Sequence, residues 1–91
     1  MNRCELVAPG GVGVPYLLSK NWNASKVLQV LQEAVDGYIE AIYIGNMVMI
    51  INEEGRIKNL MHNEVASKIA GQRIVGTVVV MKRSIWESYN E

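Results

Sequence analysis

An α+β fold, with a small mixed or antiparallel sheet built on a central β-hairpin and two covering helices, follows from three features of this sequence. Tyr38–Gly55 reads as two apolar runs folded back on each other across Gly45-Asn46. Two stretches repeat apolar residues at helical spacing, and Arg73–Lys82 is rich in β-branched residues. The predicted order is β-β-α-β-β-(short β)-α-β, which is the pattern of a sheet with helices rather than of a parallel α/β fold.

Arg3–Ala8 is the first predicted strand, stopped by Pro9-Gly10-Gly11, and Tyr16–Leu18 the second. The Gly-rich loop between them lacks the following helix and the Lys-Ser/Thr pair of a phosphate loop, so it reads as a hairpin loop. Asn23 is placed to cap a helix over about 24–36 whose inward positions are Val27, Leu28, Leu31, Ala34 and Val35. Trp22 and Val27 have the spacing of a hydrophobic staple, and Gly37 is expected to close the helix in the left-handed conformation.

The Gly45-Asn46 turn sets the hairpin register, because glycine takes positive φ freely and asparagine tolerates it. Ile44 then faces Met47, and the pairing runs outward to Ile39 and Asn52. Ile42, Ile44, Met47, Met49 and Ile51 share one face, and Ile39, Ala41, Tyr43, Val48 and Ile50 the other. Both faces are apolar, so each needs a cover. Asn52-Glu53-Glu54-Gly55 predicts a second turn with Gly55 at positive φ, followed by Arg56-Ile57-Lys58 as a short extended piece.

His62 or Asn63 is expected to cap a shorter helix with Val65, Ala66, Ile69 and Ala70 inward and Gly71 at its end. Arg73–Lys82 follows as a strand apolar on both sides, with Ile74, Val78 and Val80 on one and Val75, Val79 and Met81 on the other, which belongs mid-sheet or in an interface. Ile85, Trp86 and Tyr89 are spaced as one helical turn, so the end of the chain is either a short helix packing on the sheet or a frayed tail.

With 91 residues, the chain predicts one domain. Nine basic residues balance nine acidic ones, which argues against duplex nucleic acid as a partner, since affinity there comes from neutralising phosphates. Cys4 is the sole cysteine, which excludes an internal disulfide and a cysteine zinc cluster. With no signal-peptide pattern and no apolar run near eighteen residues, no membrane partner is expected, and the cytoplasm is the expected location.

Residues Asp36–Glu40, Asn52–Leu60, Asn63 and Ile74–Thr77 resemble those of a small family known as domain of unknown function 3846, common in bacteriophages and mobile elements of bacteria. The resemblance runs over about 28–82, with the Asn-Glu-Glu-Gly-basic run its most distinctive part. The family pattern has Gly-Gly-Tyr where Asp36-Gly37-Tyr38 stands, and a proline where Met61-His62 stands. The resemblance implies a phage or prophage protein working in the host bacterial cytoplasm, and carries no established activity or cofactor.

Catalytic material is sparse. His62 is the sole histidine, Glu53 and Glu54 diverge on a turn, and Met47, Met49, Met61 and Met81 read as adaptable packing rather than a soft-metal set. A minor enzyme using His62 with Glu64 ranks last, and neither cofactor nor metal is expected. Binding has better material: Asn52, Arg56, Lys58, His62 and Asn63 place donors near the start of the second helix, and Tyr38 supplies a flat surface for a base. The plainer reading makes Asn52 and Asn63 turn and cap residues, and Arg56 and Lys58 solvated edge charges.

A second helix of barely two turns cannot shield five apolar side chains, which predicts a patch of several hundred Å² and hence a homo-oligomer, most simply a two-fold dimer. The leading expectation is an oligomeric, non-enzymatic counter-defence protein that sequesters a nucleotide immune signal. The alternative is an adaptor or inhibitor that docks on a host enzyme.

Overall fold

Five antiparallel strands in the order β2-β1-β5-β4-β3 form the sheet. The elements are β1 (Asn2–Val7), β2 (Val14–Leu18), α1 (Ala24–Val35), β3 (Ile39–Ile44), β4 (Met47–Asn52), α2 (Glu64–Ala70), β5 (Val78–Lys82) and α3 (Arg83–Ser88). The structure, a computed structural model, describes residues 1–90. The last long strand is central as expected, but it begins at Val78, because Gly76 at φ 79° turns the chain and leaves only a His62–Val75 bridge before it.

The β3–β4 register is the predicted one, from Ile44 opposite Met47 to Ile39 opposite Asn52. Gly45 takes the positive φ, at 57°. The alternation separates two clusters. On the front, Val48, Ile50, Val79 and Met81 are buried with Cys4 and Leu18 beneath Val27, Leu31 and Val35 of α1 and Tyr89 beyond α3. On the back, Met49, Val78, Val80 and Val7 are buried with Ala66 and Ile74.

The back face is better sealed than five exposed side chains in a row would require. Met49 has no exposure, and Ile42, Ile44, Met47 and Ile51 are half-buried. Only small residues of α2, Ala66 and Ala70, pack against this cluster. Val65 and Ile69, expected inward, face solvent, as does Leu28 of α1. A two-turn helix brought close through alanines leaves its larger side chains on the far side.

Helix stops depart from expectation in an instructive way. Asn23 caps α1 as predicted, its Oδ1 accepting from Lys26 N at 2.8 Å. At the other end the left-handed residue is Asp36, at φ 60°, not Gly37. Asp36 N donates to Glu33 O and Gly37 N to Gln32 O, a Schellman closure with aspartate where glycine is usual. Gly37 is required for proximity instead: a Cβ there would lie 2.6 Å from Asn52 Nδ2 and 3.0 Å from Lys58 Nζ.

Arg56-Ile57-Lys58 is not extended. Glu53–Asn59 is a run of turns in which Lys58 N donates to Glu54 O, Asn59 N to Arg56 O and Leu60 N to Gly55 O. Asn59, at φ 57°, is its left-handed residue. Gly55 does not take the positive φ expected of it and is crowded instead, with Val75 Cγ2 2.9 Å from where a Cβ would stand.

The chain end is ordered by contacts on both sides of the front layer. Trp86 Nε1 donates to Tyr43 Oη at 3.0 Å, and the Arg83 guanidinium lies 4.9 Å over the Tyr43 ring. Tyr89 Oη donates to Ser19 O and accepts from Asn2 Nδ2, each at 2.8 Å. The helical alternative for this segment is therefore the observed one.

Candidate ligand-binding cleft

The back of the β3–β4 hairpin and the two connections that flank α2 enclose an open cleft of about 550 Å³. Ile42, Ile51 and Ile74 give it an apolar floor, and Glu40, Glu53, Arg56, Gln72 and Arg73 bring charge and amide groups to its rim. A space of this size matches a nucleotide-sized ligand, and its mixed lining suits one that has both a flat apolar part and a charged part.

Two buried asparagines hold the walls. Asn52 Nδ2 donates to Val35 O at 3.0 Å and Asp36 O at 3.2 Å, while its Oδ1 accepts from Glu54 N at 2.8 Å. That side chain ties the end of α1 to the start of the Glu53–Asn59 turns, and so sets where Arg56 stands. Asn63 Nδ2 donates to Val7 O and Gly76 O, both at 2.9 Å, and its Oδ1 accepts from Ala66 N at 3.1 Å. It caps α2, and it also pins the α2 connections to β1.

Ser67 completes the second wall by accepting from Ile74 N at 2.8 Å, with its hydroxyl 2.6 Å from Asn63 O. Gln72 and Arg73 are carried to the rim on the short segment between that clamp and Gly71, the left-handed end of α2.

The six residues singled out in the sequence do not converge. Arg56 is on the rim. Asn52 borders the cleft but its amide is committed to the backbone, and Asn63 has no exposure and no free group. Lys58 lies beside Gly37 at the end of α1, where a cation complements the helix dipole. His62 is exposed on its bridge to Val75, and Tyr38 is 66% exposed, its carbonyl accepting from Glu53 N. Neither borders the cleft.

Arg73, Gln72 and Glu40 were not singled out. Arg73 was absorbed into a predicted strand and Glu40 into the hairpin. The signal that could have exposed Arg73 is Gly76, which interrupts the β-branched run just after it.

Nothing in the cleft resembles a nucleophile with its base. The one cysteine, Cys4, is buried on the other face, and burial first, then the Glu5 charge, pushes its thiol up to about 11. Tyr16 is raised by burial, then by the charges of Glu33 and Cys4. Among the described residues no group of three or more His, Cys, Asp or Glu could hold a metal, and no helix is long and apolar enough to cross a membrane.

The raised Cys4 thiol has a pH consequence. Above pH 9.0 the unfolded chain releases a proton that the folded chain keeps, so stability falls as pH rises from about 9 towards about 11. We predict that Cys4→Ala, though less stable at neutral pH, flattens this alkaline decline in urea titrations. An unchanged slope would place the titrating group elsewhere.

The profile of the family described as Domain of unknown function (DUF3846) matches residues 5–89. The chain belongs to that family. The match takes in the second half of β1 and all of β2 as well as the hairpin and α2, and so extends well beyond the 28–82 over which the resemblance was read. No curated protein and no solved structure matches the chain. Both walls of the cleft, from Glu40 to Val75, lie inside the DUF3846 match.

Proposed function

We propose that this DUF3846 protein acts by occupancy rather than by catalysis, holding a nucleotide-sized anionic ligand in the Arg56–Arg73 cleft. The observation that carries this reading is that two arginines from separate connections border one cleft whose floor is three isoleucines. Guanidinium groups suit phosphate oxygens, which they grip through paired N–H donors. An apolar floor suits the face of a base.

The rim also carries Glu40 and Glu53, so its formal charges balance. This balance disfavours a polyphosphate and favours a ligand with one or two phosphates and several N–H or O–H donors for the carboxylates. In a phage or mobile-element setting such a protein serves as a counter-defence sponge, removing a nucleotide signal from the host cytoplasm without altering it.

Thermal melting against a panel of linear and cyclic nucleotides tests the proposal. At a hundredfold excess over Kd, a true ligand adds about 2.7 kcal/mol, a rise in Tm of about 10 °C or more for a domain this small. Arg73→Glu is expected to abolish the shift while leaving the unliganded Tm within a few degrees, and the ligand should be recovered unchanged. No shift with any nucleotide would reject the reading.

A second reading, docking on a host protein, is supported by a different observation. On α2, Val65 (37%) and Ile69 (41%) stand one turn apart on the outer side, and Met61 (72%) is exposed on the connection just before the helix. Apolar residues four apart on an exposed helix face are the pattern by which a helix presents itself to a groove.

A further inference from the structure

The two edges of the sheet are unlike. β2 carries Pro15 in its length, which has no N–H to offer an added strand. β3 has neither proline, lysine nor bulge, and its six residues pair with β4 without a break. Natural sheets protect an edge of this kind or use it.

The phase of the β3–β4 ladder is set by one bond. Glu53 N donates to Tyr38 O at 2.8 Å, which flanks Ile39–Asn52 as a pair that exchanges no backbone bonds of its own. By alternation Ala41 and Tyr43 are in pairs of the same kind. The N–H and C=O groups of Ile39, Ala41 and Tyr43 therefore point away from β4, and among the described residues no hydrogen bond reaches them.

We propose that β3 pairs antiparallel with β3 of a second copy, about a two-fold axis through Ala41, joining two five-stranded sheets into one. Ile39 then stands opposite the partner's Tyr43, and Ala41 opposite the partner's Ala41. This register alone uses all the outward groups; a shift of two residues strands some of them on each copy.

Side chains fit the same register. On the front, the partner's Tyr43 comes beside Ile39, where an apolar hollow of about 300 Å³ is bordered by Leu28, Trp86 and Tyr89. Ala41 on the axis has only a methyl group, which leaves room for the Trp86 rings of both copies. On the back, Glu40 faces the partner's Ile42, so no carboxylates oppose each other, and a formal net charge of zero adds no general repulsion.

The area is adequate for a reversible dimer. Tyr38 (66%), Tyr43 (54%) and Leu28 (43%) retain large exposed parts around this edge. With the strand itself they make a strip on the order of 500 Å² per copy, or about 1,000 Å² in all, the lower bound for a specific interface. Since Glu40 and Ile42 also border the ligand cleft, pairing sets two clefts side by side across the axis.

Dimerisation in this form stands apart from the ligand proposal, and is tested on the unliganded full chain. Sedimentation between about 1 and 100 µM should show a 10.2 kDa species doubling in mass. Over the same range the amides of Ile39, Ala41 and Tyr43 should gain about tenfold or more protection from hydrogen exchange, while those of Glu40, Ile42 and Ile44, bonded to β4, are slow throughout. Ala41→Pro removes only an outward N–H and should give a monomer with unchanged far-UV circular dichroism. A single 10.2 kDa species at every concentration, or a dimer whose Ile39, Ala41 and Tyr43 amides remain fast, overturns the proposal. The exchange measurement on the unmodified chain decides the matter even where the proline variant folds poorly.

Discussion

Asn63→Ala is expected to destabilise the fold by about 3–5 kcal/mol, a large part of the 5–15 kcal/mol that holds an ordinary domain together. The side chain has no exposure and satisfies two carbonyls and one N–H, those of Val7, Gly76 and Ala66. Truncation takes the Asn63 bond from all three at a buried site. Losing the cap of α2 accounts for only about 1 kcal/mol of this. The larger share comes from releasing the connections of α2 from β1.

Asn63→Asp separates these contributions. As an N-cap, aspartate is as good as asparagine, so a residue that did nothing but cap α2 would tolerate the exchange. Here the exchange turns a donor into a second acceptor facing the oxygens of Val7 and Gly76, each 2.9 Å away. Urea unfolding should therefore place the aspartate variant with the alanine variant, and far from the parent. Near-parental stability of Asn63→Asp would mean that the bonds to Val7 and Gly76 do not matter.

Gly37→Ala and Asp36→Gly are expected to act in opposite directions. The alanine methyl at position 37 would stand 2.6 Å from Asn52 Nδ2, well inside contact distance. Asn52 cannot retreat without breaking its bonds to Val35 O and Asp36 O, so a loss of about 2–3 kcal/mol follows. Because Asn52 also holds the first turn after β4, the same change should displace Arg56 and weaken ligand binding.

Asp36 stands at φ 60°, where a side chain is disfavoured and glycine is not. Its replacement by glycine should be neutral or stabilising by up to about 1 kcal/mol, the gain being reduced by the greater freedom of glycine in the unfolded chain. Chemical denaturation of both variants checks the pair. A Gly37→Ala protein within about 0.5 kcal/mol of the parent would contradict the crowding seen here.

This reversal shows where the sequence was legible and where it was not. That a helix must stop near position 36 follows from the apolar spacing and from the glycine itself. Which of two adjacent residues turns left-handed is decided by Asn52, a residue on another strand that needs Gly37 bare. The same holds at Gly55 and Asn59, where the crowded residue is the glycine and the left-handed one is not.

The candidate site was legible in part for the same reason. Arg56 could be singled out because a distinctive run of polar residues surrounds it. Asn52 and Asn63 were singled out as ligand donors, but the turn and cap bonds that the plainer reading gave them leave their side chains too occupied to meet a ligand. Arg73 passed as the start of a strand, because a β-branched run says nothing about the turn at Gly76 that ends it.

From the sequence alone came the hairpin and its register, the cap at Asn23, a second cap at His62 or Asn63, of which Asn63 is the one observed, the end of α2 at Gly71, and the division of the strands into two apolar faces. All of these depend on neighbours a few residues apart, whose periodicity and backbone preferences act wherever the rest of the chain goes. Tertiary structure alone decided that Arg73 borders the same cleft as Arg56, that α2 turns Val65 and Ile69 outward, and that Asn63 reaches across 56 residues to Val7. Those outcomes depend on which distant backbone groups need a partner once the sheet has formed, and no local pattern in the chain encodes that.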